Sequence, residues 1–278
     1  MNPVRVAAAL LLIACVALAA DAQGRRQAAP AGLERHSWTI GGVERTALIA
    51  GPKPGERKQG TAPPIVLVFH GHGGTSAQAA RSFRIHEAWP EAVVVYPQGL
   101  PTVGQVTDPQ GRLPGWQHMP GGENDRDLKF VDAMFAWLDE TYGLDPARTF
   151  AAGHSNGGSM VYTLWAARGD RFAAVASSAS VLRPDLSVAA KPKPAFIVAG
   201  REDALVPFAS QQRSLQSVLR LNQASATSKP WSGGAVEYES RAGAGVISYI
   251  HAGGHAMPED TGALMVKFFK GILRIAAF

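Results

Sequence analysis

A serine between two glycines is the residue of this sequence whose type and setting most clearly allow chemistry. Ser155 lies in Gly153-His154-Ser155-Asn156-Gly157, which follows a short run of small and apolar residues and precedes a helical pattern. This G-x-S-x-G pattern between a strand and a helix is typical of a nucleophile elbow, a tight turn that presents a serine hydroxyl above a sheet. The flanking glycines let neighbouring chain pass close to the turn. A glycine-rich connection with an incidental serine is the alternative interpretation.

A serine hydroxyl attacks a carbonyl readily only when a base lies beside it and a carboxylate fixes the tautomer of that base. Two later loops offer both groups, because Asp203 follows one apolar strand pattern and His255 follows the last one. The chain order serine, acid, histidine occurs in one large class of hydrolases. We therefore predict Ser155 as the nucleophile, Asp203 as the orienting acid and His255 as the base.

Neighbouring residues leave alternatives to these assignments. Glu202 precedes Asp203 and is a second candidate acid, while Asp203 itself could be a turn residue. His251 is a rival base, although it directly follows a strand pattern and is less free to reach Ser155. His251 and His255 also have the H-x-x-x-H spacing of metal ligands, but two intervening glycines disfavour the helix that this spacing requires. We predict no metal and no cofactor.

A glycine-rich segment, HGHGG at 70–74, follows an unbroken apolar run and precedes a helical pattern. In this position such a segment supplies a backbone N–H to an oxyanion. We predict the N–H groups of His72 and Asn156 as the two oxyanion donors. A phosphate loop is disfavoured because the lysine of G-x-x-x-x-G-K is missing, while a plain glycine turn stays possible.

A long loop, 100–124, contains several glycines and prolines and the pair Trp116-Gln117. Long loops in compact enzymes are often functional. We predict that Trp116 and Gln117 contact the substrate, with Trp116 as a pocket wall or, equally, as a packing residue. Asn124 or Asp125 is expected to cap the helix that follows.

Runs of apolar residues indicate the strands that must position these loops. The predicted strands are 65–69, 92–96, 149–152, 172–176, 194–200, 236–240 and 246–250, with helices over 76–86, about 125–138, after 156, within 206–221 and over 261–275. Strands that alternate with helices predict a mostly parallel sheet with helices on both faces. Alternating residues around Gly41-Gly42, from 36 to 50, predict an antiparallel hairpin at the N-terminal edge.

The first residues indicate export. An apolar run from Val6 to Ala20 is followed by Ala20-Asp21-Ala22, which suits signal peptidase. We predict a signal peptide over 1–22, a flexible leader over 23–34, one catalytic domain over 35–278 and a secreted or periplasmic protein. The alternative is a lipoprotein anchored at Cys15, the only cysteine of the chain. The run is too short for a membrane span, and no later segment approaches the roughly 20 apolar residues that a span needs.

Composition excludes some partners. The 278 residues are 46% hydrophobic and 18% charged, with a net charge of +5, as in ordinary globular proteins. Lysine and arginine are scattered without a run of five, which disfavours a nucleic-acid surface. The sequence leaves the oligomeric state open.

Several motifs together resemble the secreted esterases grouped with polyhydroxybutyrate depolymerases and with feruloyl or acetylxylan esterases. They are VFHGHGG (68–74), YPQG (96–99), GWQ (115–117), ND (124–125), GHSNGG (153–158), GREDALVP (200–207) and GGHAMP (253–258). The resemblance implies an α/β-hydrolase fold and hydrolysis of small-molecule or oligomeric carboxylic esters. Family members commonly have a disulfide-bonded cysteine where this chain has His72, and a tryptophan where it has Met257.

The resemblance leaves two other functions to be distinguished. A serine peptidase of the prolyl oligopeptidase type would use the same three residues on amides. An exported binding module on an inactive hydrolase scaffold would not need them. The polymer-degrading relatives carry a separate substrate-binding domain, which we do not find after His255, so we expect soluble esters or oligomers as substrates.

Overall fold

The structure is a computed structural model that describes residues 31–53, 62–104 and 106–275. The predicted signal peptide, 1–22, and the predicted leader as far as residue 30 lie outside these residues. The first strand begins at Glu34, the last residue of the predicted leader.

Strands form the centre of the described molecule. In chain order they are β1 Glu34–Ile40, β2 Val43–Ala50, β3 Ile65–Phe69, β4 Val93–Pro97, β5 Leu100–Pro101, β6 Pro114–Gly115, β7 Thr149–His154, β8 Ala174–Ser178, β9 Ala195–Gly200, β10 Lys229–Pro230, β11 Val236–Tyr238 and β12 Val246–His251. Ten of them form one sheet in the order β1-β2-β4-β3-β7-β8-β9-β12-β11-β10, and β5 pairs with β6. The six strands from β4 to β12 in this order are parallel, whereas β1 and β2 form an antiparallel hairpin that joins β4. The predicted α/β fold with a mostly parallel sheet and an N-terminal hairpin is therefore confirmed.

Helices cover both faces of the sheet. They are α1 Ser76–Phe83, α2 Ile85–Ala88, α3 Arg126–Tyr142, α4 Asn156–Arg168, α5 Pro184–Ala189, α6 Phe208–Leu221 and α7 Thr261–Ile275. Alternate residues of β3 belong to different apolar clusters, with Leu67 packed among α3, α4 and α6 and Val66 packed among α1, α2 and α7. Burial on both faces explains why β3 reads as an unbroken apolar run. Among the described residues, no helix has the length and apolar character needed to cross a membrane.

Three local features differ from the sequence predictions. The helix expected over 76–86 breaks at Arg84, whose φ of 49° ends α1 and starts α2. The loop expected over 100–124 contains the β5–β6 ladder. Asp125 precedes α3, but its φ of 56° takes its side chain away from the capping position, so the predicted cap is wrong. The Asp125 side chain instead accepts the Gly121 N–H and the Gln117 amide at 2.7 and 2.9 Å.

Candidate active site

Ser155 occupies the turn between β7 and α4, at the carboxyl end of a central strand. Its φ of 56° and ψ of −120° form a strained conformation, which costs a residue other than glycine about 1–3 kcal/mol. A Cβ added at Gly153 would overlap the Gly157 carbonyl, and one added at Gly157 would overlap the carbonyl of Phe69. The Ser155 N–H donates to the Ser178 carbonyl at 2.8 Å and anchors the turn to β8. The two glycines thus allow the close approach that holds the serine in this position.

His255 lies beside the Ser155 hydroxyl on the loop that follows β12. Its Nε2 is 2.9 Å from Ser155 Oγ, and its Nδ1 is 2.9 Å from Asp203 Oδ2. An ionised carboxylate can only accept a hydrogen bond, so the Nδ1–H of His255 donates to it and Nε2 is left to accept the Ser155 hydroxyl proton. The structure therefore brings together the three residues that the sequence predicted, from the loops after β7, β9 and β12.

Asp203 is held by four hydrogen-bond donors at the end of β9. Oδ1 accepts the N–H groups of Leu205 and Val206 at 2.9 and 2.8 Å, and Oδ2 accepts the Gln211 amide at 2.9 Å together with His255. Burial opposes the ionisation of Asp203, but these donors outweigh it and hold the pKa of the carboxyl below its usual value. The site thus keeps a buried, ionised carboxylate behind the imidazole.

The rival acid and base have other positions. Glu202 is exposed, and its backbone N–H donates to the Gly253 carbonyl at 3.1 Å. His251 Nδ1 accepts the N–H of Gly253 at 3.1 Å, and burial lowers the pKa of this imidazole. Neither side chain hydrogen-bonds to Ser155. These residues join the loop of Asp203 to the loop of His255.

His154, the residue before the serine, places a second imidazole against the first. Its ring centroid is 4.9 Å from that of His255, and its Nδ1 is 3.2 Å from Ser178 Oγ. Burial lowers the pKa of His154 to about 4. A neutral ring at this distance adds no charge repulsion when His255 takes up a proton.

The two predicted oxyanion residues flank the serine. Asn156 is the first residue of α4, so its N–H has no acceptor within the helix and lies at the positive end of the helix dipole. The loop of His72 passes directly over the nucleophile, because a Cβ added at Gly71 would be 3.4 Å from Ser155 Cβ. His72 and Asn156, from two different elements, therefore line the groove on either side of Ser155.

A groove of about 960 Å³ opens over Ser155 and His255. It lies between α1, the loops that follow β8 and β9, and part of the loop between β4 and α3. Apolar side chains of its wall are Val106, Val181, Leu205 and Met257. Val106 is 66% exposed and Leu205 is 44% exposed, so the wall offers apolar surface to a ligand. The volume is much larger than an acetyl group needs.

Trp116 and Gln117 do not line this groove, so the prediction that they contact the substrate is wrong, and for Trp116 the alternative of a packing residue is confirmed. Trp116 is fully buried, with its indole N–H donating to the His70 carbonyl at 2.8 Å. Gln117 is 1% exposed, and its Oε1 accepts the N–H groups of Asp127 and Leu128 at 3.0 and 3.3 Å. Gln117 therefore caps α3 from an earlier position in the loop that precedes the helix, in place of Asp125.

Sequence reasoning also missed residues that support the site. Gln211 hydrogen-bonds to Asp203, and Asp108 hydrogen-bonds to His72. Neither Gln211 nor Asp108 belongs to a sequence motif. A polar residue at a buried position of an amphipathic helix is the one available signal for Gln211. Within the described residues, no group of three metal-ligating side chains occurs.

The strand order and the elbow at the end of β7 define an α/β-hydrolase. The sequence model of the Esterase family ("Putative esterase") matches residues 41–240. The chain belongs to this family. His255 lies beyond the matched range, whereas Ser155 and Asp203 lie within it.

Individual relatives agree with this family. The chain is 31% identical to "Putative esterase NocK" from Nocardia uniformis subsp. tsuyamanensis over 152 residues, which span 52% of this chain and 41% of that relative. A ferulic acid esterase structure matches with a TM-score of 0.60 at 16% identity, covering 87% of this chain and 98% of the other. An acetyl xylan esterase from Aspergillus awamori matches with a TM-score of 0.62 at 14% identity, covering 86% and 99%. At these identities the two structures support the fold alone.

Proposed function

We propose that Ser155 is the nucleophile of a two-step ester hydrolysis, with His255 as the proton carrier and Asp203 as its orienting group. The observation that carries this proposal is the hydrogen-bonded series from Ser155 Oγ through His255 to Asp203 Oδ2, with both contacts at 2.9 Å. A hydroxyl in such a series can lose its proton as it attacks, because the imidazolium that forms is stabilised by the carboxylate.

In the first step, Ser155 Oγ attacks the ester carbonyl carbon while its proton passes to His255 Nε2. The N–H groups of His72 and Asn156 donate hydrogen bonds to the developing oxyanion, and each donor of this kind contributes about 3 kcal/mol. His255 then returns the proton to the alcohol oxygen as the C–O bond breaks, which leaves an acyl-enzyme. Water attacks that acyl group and loses a proton to His255, which passes the proton to Ser155 Oγ as the bond between Oγ and the acyl carbon breaks and the acid leaves.

The proposed substrates are feruloyl, acetyl or short hydroxyalkanoate esters, as small molecules or oligomers. The volume of the groove, about 960 Å³, and its apolar wall favour an ester with a group larger than acetyl on one side. The fold shared with a ferulic acid esterase and an acetyl xylan esterase is compatible with this range. A screen of these three ester types, with matched amides, distinguishes an esterase from a peptidase.

Ser155→Ala tests the role of the nucleophile. We expect this variant to fold and to lose about 10⁶-fold in kcat on p-nitrophenyl acetate, because an alanine cannot form the acyl-enzyme. A fluorophosphonate probe should label the native protein and leave the variant unlabelled. Retention of the native rate by the variant would rule the mechanism out.

Export is proposed from the pattern of residues 1–22. The expected result is a mature N-terminus after Ala22 when the full chain is expressed in a bacterial host and the periplasm and medium are analysed. Acylation of Cys15 and recovery in the membrane fraction would instead indicate a lipoprotein.

A further inference from the structure

The loop between β4 and α3 hydrogen-bonds to the side chains of His72 and Asn156, the two residues of the proposed oxyanion site. We call the part of this loop formed by Gly104, Asp108 and residues 113–116 the brace. It includes β6, and it contacts the loop after β3 on one side and the start of α4 on the other. The brace and the loop after β3 share a backbone hydrogen bond, in which the Gly73 N–H donates to the Pro114 carbonyl at 2.7 Å.

The imidazole of His72 is confined in a slot of the brace. A Cβ added at Gly104 would lie 2.7 Å from His72 Nε2, and one added at Gly115 would lie 2.6 Å from His72 Nδ1. The ring therefore occupies the space that these two glycines leave open. Its Nε2 is 3.2 Å from Asp108 Oδ2, and its side chain is only 11% exposed. Within the described part of the chain, Nδ1 has no hydrogen-bond partner, so Asp108 provides the ring's hydrogen bond.

Asn156 is held by the same brace from the other side. Its Oδ1 accepts the Trp116 N–H at 2.7 Å, and its Nδ2 donates to the Trp116 carbonyl at 3.1 Å. The side chain is thus paired with one residue of the brace in both directions. Asp108 in turn accepts the Leu113 N–H at 2.8 Å, which fixes the shape of the brace itself.

We propose that Asp108 is a positioning residue for ester hydrolysis, which holds the His72 imidazole in the brace and thereby fixes the His72 N–H towards the oxyanion. This inference rests on the proposed function. A side chain and the N–H of its residue share one Cα, so a ring fixed in a slot restricts the backbone to which it is attached. Oxyanion donors act in the transition state only when they are already in place, and a displacement of about 1 Å can cost about 10²-fold in rate.

A double-mutant cycle of Asp108→Ala and His72→Ala tests this role, because both variants retain the backbone N–H groups. We expect Asp108→Ala to lower kcat by roughly 10- to 100-fold with little change in KM, since the oxyanion forms only in the transition state. In the His72→Ala background, Asp108→Ala should lower kcat by less than about a further twofold, because the imidazole through which Asp108 acts is already absent. Equal losses in the two backgrounds would show that Asp108 does not act through His72.

Inhibitor binding separates positioning from a loss of loop structure. The Ki of a trifluoromethyl ketone, which forms an oxyanion on Ser155, should rise in proportion to the fall in kcat/KM of Asp108→Ala. Asp139→Ala is the matched control, because Asp139 also accepts a loop N–H, that of Leu144 at 3.0 Å, but does not line the groove. Native kcat or an unchanged Ki in Asp108→Ala overturns the inference.

A second variant covers the case in which Asp108→Ala does not fold. Gly104→Ala introduces a Cβ into the His72 slot, while Gly271→Ala adds one where no atom lies within 4 Å. A loss of kcat in the first variant alone supports the inference, and native kcat in both contradicts it. Turnover that survives Ser155→Ala would instead refute the proposed function, so the two failures are distinguishable.

Discussion

Asp203 combines complete burial of its side chain with four hydrogen-bond donors. The donors explain why its carboxylate persists in a place where burial alone would favour the neutral acid. Two of the four are backbone N–H groups of the residues that follow in the same loop. The geometry of the acid is therefore built into its own turn, and Gln211 on α6 adds the contact that comes from elsewhere.

Asp203→Asn should abolish most of the activity. An amide nitrogen in place of Oδ2 would face the Nδ1–H of His255, so the imidazole would take the tautomer that cannot accept the Ser155 proton. We expect kcat to fall by about 10⁴-fold. Asp132→Asn is the control, because Asp132 forms a partly exposed ion pair with Arg168 and should retain native kcat.

The same variant should change how stability depends on pH. The pKa of Asp203 is lowered in the folded protein, so its ionised form stabilises the fold above the unfolded pKa of about 3.9. This stabilisation is lost as the pH falls through the lower folded-state value. The difference in melting temperature between the native protein and Asp203→Asn should therefore narrow from about pH 5 to below about pH 3. A difference that stayed constant over this window would contradict the assigned direction.

For individual residues, the sequence predicts those that belong to a local signature and misses those whose role depends on contacts formed only in the folded protein. Ser155 is marked by its glycines, while Asp203 and His255 are marked by their positions after apolar strands. Gln211 and Asp108 have no such mark, since an amide on a helix and an aspartate in a loop are ordinary surface residues in most sequences. Their contacts depend on which loops meet, which one sequence does not specify.

The start of α3 illustrates how one element depends on another. Three consecutive residues before it, Glu123, Asn124 and Asp125, have positive φ angles, and no side chain from this segment caps the helix. Gln117 takes that role, with its amide also donating to the Met119 carbonyl and to Asp125 Oδ1, both at 2.9 Å. All the hydrogen-bonding groups of its amide are therefore used to join the loop to the helix.

Gln117→Ala should lower the free energy of unfolding by about 1–3 kcal/mol, because two buried N–H groups of α3 would lose their acceptor. The kcat of the folded variant should stay native, since Gln117 does not line the groove. Chemical denaturation measures the first quantity and ester turnover the second. Gln212→Ala, at an exposed position of α6, is the control. Equal stability of the two variants would argue against the cap.

Strands were predicted more accurately than the loop that holds the site together. An apolar run such as 65–69 is recognisable locally, because burial on both faces of a sheet demands it. The β8 strand begins two residues later than the predicted range of 172–176, which is a small error of boundary. The sequence left Trp116 open between a pocket wall and a packing residue, and the structure places it in the core. An aromatic residue in a long loop suits a pocket wall or a core equally, and tertiary packing decides between them.

The whole molecule places its chemistry at one edge of a sheet whose two faces are covered by separate apolar clusters. Loops after β3, β7, β9 and β12 meet there because parallel strands end at the same edge. The N-terminal hairpin lies at the side of the sheet, away from the strand that carries Ser155. One buried ion pair nevertheless joins this hairpin to α3, which follows the loop that contains the brace.

That ion pair consists of Arg45 on β2 and Asp127 on α3, whose side chains are 1% and 0% exposed. Arg45 Nη2 is 2.7 Å from Asp127 Oδ1, while the other carboxylate oxygen accepts the Gln117 N–H at 2.8 Å. The guanidinium also lies 4.2 Å from the centroid of the Phe130 ring. Arg126 approaches the second oxygen at 3.7 Å. Hairpin, loop and helix thus share one carboxylate.

Asp127→Asn should be among the most destabilising single changes in the chain, because it leaves the Arg45 charge buried without its partner. Removing one member of a buried pair costs about 3–5 kcal/mol, while replacing both members is often far less harmful. The double variant Arg45→Met/Asp127→Asn should therefore be more stable than Asp127→Asn alone, because it leaves no unpaired charge buried. Guanidinium denaturation of both measures this difference. In contrast, Asp132→Asn breaks a partly exposed ion pair with Arg168 and should lower the free energy of unfolding by less than about 1 kcal/mol. If Asp127→Asn were as mild as Asp132→Asn, the ion pair would not be what joins the hairpin to α3.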